Sequence, residues 1–169
     1  MGTGRRRPAP SADGPGDGGR DAGVSGEVDL VPELSVSDWR RSRDFYRDLI
    51  GFDVSYERPE EGFAFLSLGK AQLMIDQIGI GRDFDIADAP REHPFGRGLN
   101  LQIRVPSVSA ILARLQAADV PLYLEPEEKW YRRGHHQVGN RQFVVADPDG
   151  YLLRLFEDLG ARPFTPQSA

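Results

Sequence analysis

The residues best suited to chemistry are few, and their spacing excludes several kinds of it. The chain holds three histidines and no cysteine. Thiolate nucleophiles, thiolate metal sites and disulfides are therefore impossible. His135 and His136 are adjacent, and neighbouring side chains in an extended segment point to opposite sides, which sets them poorly for gripping one ion. Gly134, Gly139 and Asn140 around them mark a loop, and His93 beside Pro94 reads as exposed. No Ser-His-Asp order and no phosphate-binding loop is present, and Gly79-x-Gly81 is not followed by a helical pattern with a third glycine. What remains is charge. Acidic residues outnumber basic ones by 26 to 21, giving −5. Residues 1–27 hold four of each sign, so the body carries the whole excess. That disfavours nucleic acid, which needs a basic face, and permits a cationic small ligand. Solubility alone is the plainer reading of the same charge.

The elements that must position any site are legible in order. Residues 1–27, with eight glycines and three prolines, read as a disordered tail. Residues 29–36 form a strand, with Leu34 and Val36 on one face and Val31, Glu33 and Ser35 on the other. Ser37 or Asp38 then caps a helix that buries Trp39, Phe45, Tyr46, Leu49 and Ile50 and stops at Gly51. Trp39 reads as packing or a contact between chains. Strands follow near 52–57, 62–68 and 71–77, and residues 78–97 read as a linker. The pattern then restarts. Leu99, Leu101, Ile103 and Val105 alternate with polar residues, Ser107 opens a second amphipathic helix, and a strand lies near 121–125. After a loop, strands at 141–146 and 151–157 meet antiparallel at Asp147-Pro148-Asp149-Gly150. There Pro148 presets φ, and Asp149 and Gly150 tolerate positive φ.

The order β-α-β-β-β thus occurs twice, which makes the fold α+β with two tandem modules. The domain spans 28–160, with one module at about 29–77, the second at about 98–158, and a tail at 161–169. No apolar run approaches a membrane span and no signal-type core follows the N-terminus, which sets a cytoplasmic location with no membrane partner as the expectation.

Two stretches carry a resemblance. "SVSDWRRSRDFYRDLIGFDV" is similar to the first strand-helix junction of the vicinal oxygen chelate superfamily, and "FVVADPDGYLLRLFE" resembles its last hairpin. That group holds glyoxalase I, extradiol dioxygenases, fosfomycin-resistance transferases and bleomycin-binding resistance proteins. The resemblance covers about residues 29–158. It implies that each module curls its strands into half a barrel around a cavity. It also implies four metal-ligand positions, two usually His and two usually Glu. In this chain they fall on Val31, Asn100, Met74 and Arg154. Valine has no donor, and a guanidinium has no lone pair to give a cation. A one-residue slip in the alignment would put Leu99, Leu101 and Ile103 in the cavity, which is physically worse.

The resemblance therefore shifts toward the metal-free bleomycin-resistance branch, whose members bind the drug rather than altering it. It implies a homodimer, no cofactor and no catalytic residue. The ligand would be a cationic, bleomycin-like molecule, free or as its metal complex, in an acidic, aromatic-lined crevice. The candidate residues are Glu33, Asp76, Asn100, Gln102, Phe63, Phe65, Trp130, Tyr131 and Arg154. Each has a plainer role. The phenylalanines could serve packing, Glu33 and Arg154 could pair across the cavity, Met74 could fill space, and Tyr131 could cover the mouth. Truncating Trp130 to alanine is expected to weaken drug binding by ~1–2 kcal/mol. The alternatives are a metal-dependent enzyme of the same superfamily using relocated ligands, for example Glu33, Asp76, His135 or Glu157, and a generic small-molecule binder.

Overall fold

The computed structural model describes residues 28–81 and 92–165. The expectations for residues 1–27 and for the middle of the 78–97 linker lie outside the described residues. The element order is β1 (Glu33–Val36), α1 (Trp39–Asp44, continuing as a π-helical stretch over Phe45–Ile50), β2 (Asp53–Arg58), β3 (Phe63–Leu68), β4 (Ala71–Gln77), β5 (Asn100–Arg104), α2 (Val108–Ala117), β6 (Leu122–Arg133), β7 (His136–Ala146) and β8 (Leu152–Pro163). The strands form two four-stranded mixed sheets, ordered β1-β4-β3-β2 and β5-β8-β7-β6. The fold is α+β, a βαβββ module used twice, with no closed barrel.

Local chemistry sets the helix ends. The Asp38 carboxylate accepts from the backbone N–H groups of Arg40 and Arg41, and the Ser107 hydroxyl accepts from that of Ala110. Gly51 ends the first helix at φ 100°. The backbone N–H groups of Gly51 and Phe52 both donate to Tyr46 O, so the last turn is widened. That widening keeps Phe45, Tyr46 and Ile50 all buried. Trp39 is 1% exposed and is core packing. No helix among the described residues is long and apolar enough to cross a membrane.

The two modules share one core, built from the helix-facing sides of both sheets: Leu34, Val36, Leu66 and Ile75 from the first, Ile103, Phe143, Leu153 and Leu155 from the second. Polar bonds cross the same seam. Arg114 in α2 donates to Leu49 O (2.8 Å) and Ile50 O (3.0 Å), carbonyls at the end of the first helix. The turn Asp147-Pro148-Asp149-Gly150 joins β7 to β8, as its composition demands, and reaches across to the first module. Asp149 accepts from Ser37 N and Ser42 Oγ, Tyr46 OH donates to Asp147, and Tyr151 OH donates to Ser35 O. Within this turn positive φ falls on Gly150 alone, at 87°.

Three boundaries differ from the sequence reading, the first being β1, expected over 29–36 and found only over Glu33–Val36. The segment expected as a loop after residue 125 is strand, because β6 continues to Arg133 and turns at Gly134-His135 into β7. β8 likewise runs to Pro163, past the domain end expected at 160. The second sheet therefore projects as a three-stranded ribbon beyond its helix, with both histidines exposed at the turn.

Candidate functional site

Strand registers place the four positions that metal chemistry would use. In the first sheet Glu33 lies beside Met74, and in the second Gln102 lies beside Arg154. Each pair joins a module's first strand to its last, so Met74 and Arg154 are equivalent. Their core-facing neighbours Leu73, Ile75, Leu153 and Leu155 are buried, which turns Met74 and Arg154 to the opposite, open face. Val31 precedes β1 and Asn100 opens β5, each two residues before Glu33 or Gln102. The set is Val, Met, Asn and Arg, which lacks the imidazoles and carboxylates that hold Zn²⁺ or Fe²⁺. A resident metal at the superfamily's usual position does not fit these residues. The relocated set fares no better. Glu33 and Asp76 belong to the first sheet, His135 sits in the ribbon turn, and Glu157 shares a strand face with Leu153 and Leu155. Among the described residues no three His, Asp or Glu gather where they could hold an ion.

The first sheet's open face carries an aromatic row instead. Tyr56 stacks on Phe65 with ring centroids 5.1 Å apart and planes 15° apart, and it lies 5.8 Å from Phe63. The Arg58 guanidinium covers Phe63 at 3.7 Å from the ring centre and ion-pairs with Glu61. Tyr56, Arg58, Glu61 and Phe63, together with Glu33, Met74, Asp76 and Gly81, line a cleft of about 630 Å³, with Phe65 behind Tyr56 outside it. Rings and carboxylates at one cleft are what a flat cation needs.

Tyr56 and Arg58 were not expected in the site, and the reason is a β-bulge. Val54 pairs with Leu66 on the core side, but the register shifts at Ser55 and Tyr56 then pairs with Phe65 on the open side. Strict alternation would group Tyr56 with Val54.

The second sheet's open face carries both signs: Arg154, Arg104 ion-paired with Asp158 at 3.2 Å, and Glu127. Asn100, Gln102 and Arg104 are exposed on β5 beside Leu152, Arg154 and Phe156 of β8. Further along, Gln142 Nε2 donates to Glu127 Oε1 (2.9 Å) and to Tyr131 OH (2.8 Å). Those bonds place Tyr131 on this open face. Trp130, one residue earlier, points to the other side. Its indole lies flat on Gly139, where a Cβ would stand 2.7 Å from the ring, and Arg162 covers it at 3.9 Å. Trp130, named among the ligand groups, thus packs against the ribbon on the face away from Tyr131. Trp130→Ala should leave drug affinity within about twofold while lowering thermal stability through lost cross-strand packing. A tenfold loss of affinity would return Trp130 to the site. The plainer role of Glu33 and Arg154, pairing across the cavity, is not realised within the chain: the two sit on separate sheets, and no ion pair joins them.

Comparison with known proteins follows the same geometry. No curated protein sequence matches the chain. Among solved structures, a glyoxalase/bleomycin resistance protein/dioxygenase superfamily member from Vibrio splendidus 12B01 is 36% identical, covering 76% of this chain and 97% of that one, at a TM-score of 0.35. A protein of unknown function from Agrobacterium tumefaciens str. C58 is 27% identical over 79% of this chain and 96% of that one, at a TM-score of 0.55. TioX from Micromonospora sp. ML1 is 22% identical over 76% of this chain and 98% of that one, at a TM-score of 0.58, a likeness of fold. The family model for the glyoxalase/bleomycin resistance protein/dioxygenase superfamily matches residues 30–155, both modules from before β1 into β8, and the chain belongs to that superfamily.

Proposed function

We propose that the protein binds, without turning over, a flat cationic ligand of the bleomycin class, and protects by sequestration. The observation that carries this reading is the first sheet's open face. An aromatic row bordered by carboxylates stands there, while the family's metal-ligand positions hold Val31, Met74, Asn100 and Arg154. No residue of the second sheet lines that cleft. The reading therefore includes a homodimer in which the open face of one copy's first sheet meets the open face of the other's second. Arg154 favours this pairing, since its buried Nε has no hydrogen-bond partner among the described residues and Glu33 and Asp76 stand on the other face; Arg104 is already ion-paired with Asp158. Glu33 then faces Arg154 of the partner subunit, the ion pair that a single chain does not make.

Calorimetric titration of chelator-treated protein with metal-free bleomycin tests the reading. Stoichiometric binding by a species sedimenting as a dimer is expected. Tyr56→Ala, which removes one stacked ring from an exposed strand, should weaken binding by ~1–2 kcal/mol, about tenfold. Absence of heat, or restoration of binding only by added transition metal, would sink the sequestration role.

A further inference from the structure

The cleft of the first sheet is already occupied by one of its own side chains. Phe63 stands on the open face, directly opposite Arg58 across β2 and β3, yet it is only 3% exposed. The Arg58 guanidinium covers its face at 3.7 Å from the centroid and lies 5.9 Å from the Tyr56 ring. The same guanidinium is held by the Glu61 carboxylate, three residues on in the β2–β3 turn. A planar delocalised cation thus sits with one face on an aromatic ring and one edge on a carboxylate, inside the cleft assigned to the ligand.

The geometry points to Arg58 as an internal competitor: its guanidinium occupies the stacking position that a planar cationic ligand takes, and it must swing out before that ligand binds. This deepens the binding role proposed for the same cleft and rests on it for the location, while adding a residue that sets affinity and selectivity. The swing is cheap. Arg58 and Glu61 are 40% and 50% exposed, and an exposed pair of this kind contributes only about 0–1 kcal/mol. What the incoming ligand must match is also defined. Guanidinium, amidinium or a protonated heteroaromatic ring can lie flat on Phe63 and still reach Glu61. A compact, strongly hydrated ammonium cannot replace both contacts. Arg58 therefore filters for flat cations and lowers affinity for weak ones.

Proflavine, a planar acridinium cation whose fluorescence reports binding, serves as the probe, with the full chain throughout. Arg58→Ala and Arg58→Gln should each tighten proflavine binding about fivefold to tenfold, the range spanned by one lost cation–π competitor. Adding Phe63→Leu to Arg58→Ala should abolish that gain. Arg47→Ala removes the same charge from an exposed ion pair on the first helix and should change affinity less than twofold. Putrescine, which carries only compact ammonium groups, should gain less than twofold from Arg58→Ala. Unchanged or weaker proflavine binding in both Arg58 variants overturns the inference. So does equal tightening in Arg47→Ala, which would reduce the effect to net charge, and so does failure of every form to bind the probe. The bleomycin titration fails or succeeds separately. Drug binding with no Arg58 effect on proflavine removes the competitor and keeps the function, and an Arg58 effect without drug binding does the reverse.

Discussion

Asp149→Ala is expected to lower the unfolding free energy by ~2–4 kcal/mol, far more than an average turn substitution. The carboxylate is 2% exposed and works across the module seam. Its Oδ1 accepts from Ser37 N at 3.1 Å and its Oδ2 from Ser42 Oγ at 3.2 Å, both at the start of the first helix. Alanine leaves the Ser42 hydroxyl, itself 0% exposed, without its acceptor, at a cost of about 1–3 kcal/mol for a buried unsatisfied group, and the loss of the part-buried Ser37 bond adds about 1 kcal/mol. Asp149→Asn keeps an acceptor for Ser37 N, and the Ser42 hydroxyl can rotate to accept from the new amide, so its loss should be about 1 kcal/mol. Denaturant unfolding of the three proteins checks the order. A loss below 1 kcal/mol in the alanine variant would mean that the apolar seam alone holds the modules together. The expectation extends to Gly150→Ala, where φ is 87° and a Cβ would stand 2.3 Å from the Pro94 Cβ. Neither the backbone nor the neighbour gives way without a shift.

That turn was the most legible stretch of the sequence because its chemistry is local. Proline, aspartate and glycine specify a reversal whatever surrounds them. The facing of Met74, Asn100 and Arg154 was also readable. Their strands alternate cleanly, and their buried neighbours leave one choice of register. The failures share a cause. At Ser55 a bulge flips the remainder of β2, and nothing in Val54-Ser55-Tyr56 marks it, so Tyr56 and Arg58 escaped notice. In β6 the register shifts twice, between Leu122 and Leu124 and again before Glu127. Beyond those shifts the ribbon packs on no helix, so neither of its faces needs an apolar stripe. Glu127-Glu128-Lys129-Trp130-Tyr131-Arg132-Arg133 therefore reads as loop, although its backbone pairs continuously with β7. What the sequence could have offered was Gly139, a strand glycine that often marks a bulky neighbour lying against the backbone. Site residues on regular strands could be read from alternation; those beyond a bulge depended on tertiary pairing.

Asp147→Asn is expected to stabilise the protein at neutral pH, unlike its neighbour. Asp147 is 5% exposed, and its carboxylate accepts from Asp149 N (3.0 Å), Tyr151 N (2.8 Å) and Tyr46 OH (2.9 Å). Burial opposes these three donors and, with Asp149 nearby, pushes the carboxyl up to about 6 from an ordinary 3.8. The Tyr46 hydroxyl is itself raised well above 10, first by burial and then by Asp147, so it stays protonated and donating. A carboxyl raised in the folded state binds its proton more tightly there than in the unfolded chain. Its contribution to stability is therefore greatest below pH 4, declines as pH rises, and is lost above about 6. A shift of about two units corresponds to about 3 kcal/mol. Asparagine cannot ionise. Its carbonyl can accept from the two backbone N–H groups while its amide donates to the Tyr46 oxygen. The stability difference between Asp147→Asn and the parent should thus grow from near zero at pH 4 to ~1–3 kcal/mol in favour of asparagine above pH 6.5. Other carboxylates titrate in both proteins and cancel in that difference. A difference that moves against asparagine with rising pH would show that the three donors outweigh burial, and that the ionised aspartate is itself a staple of the seam.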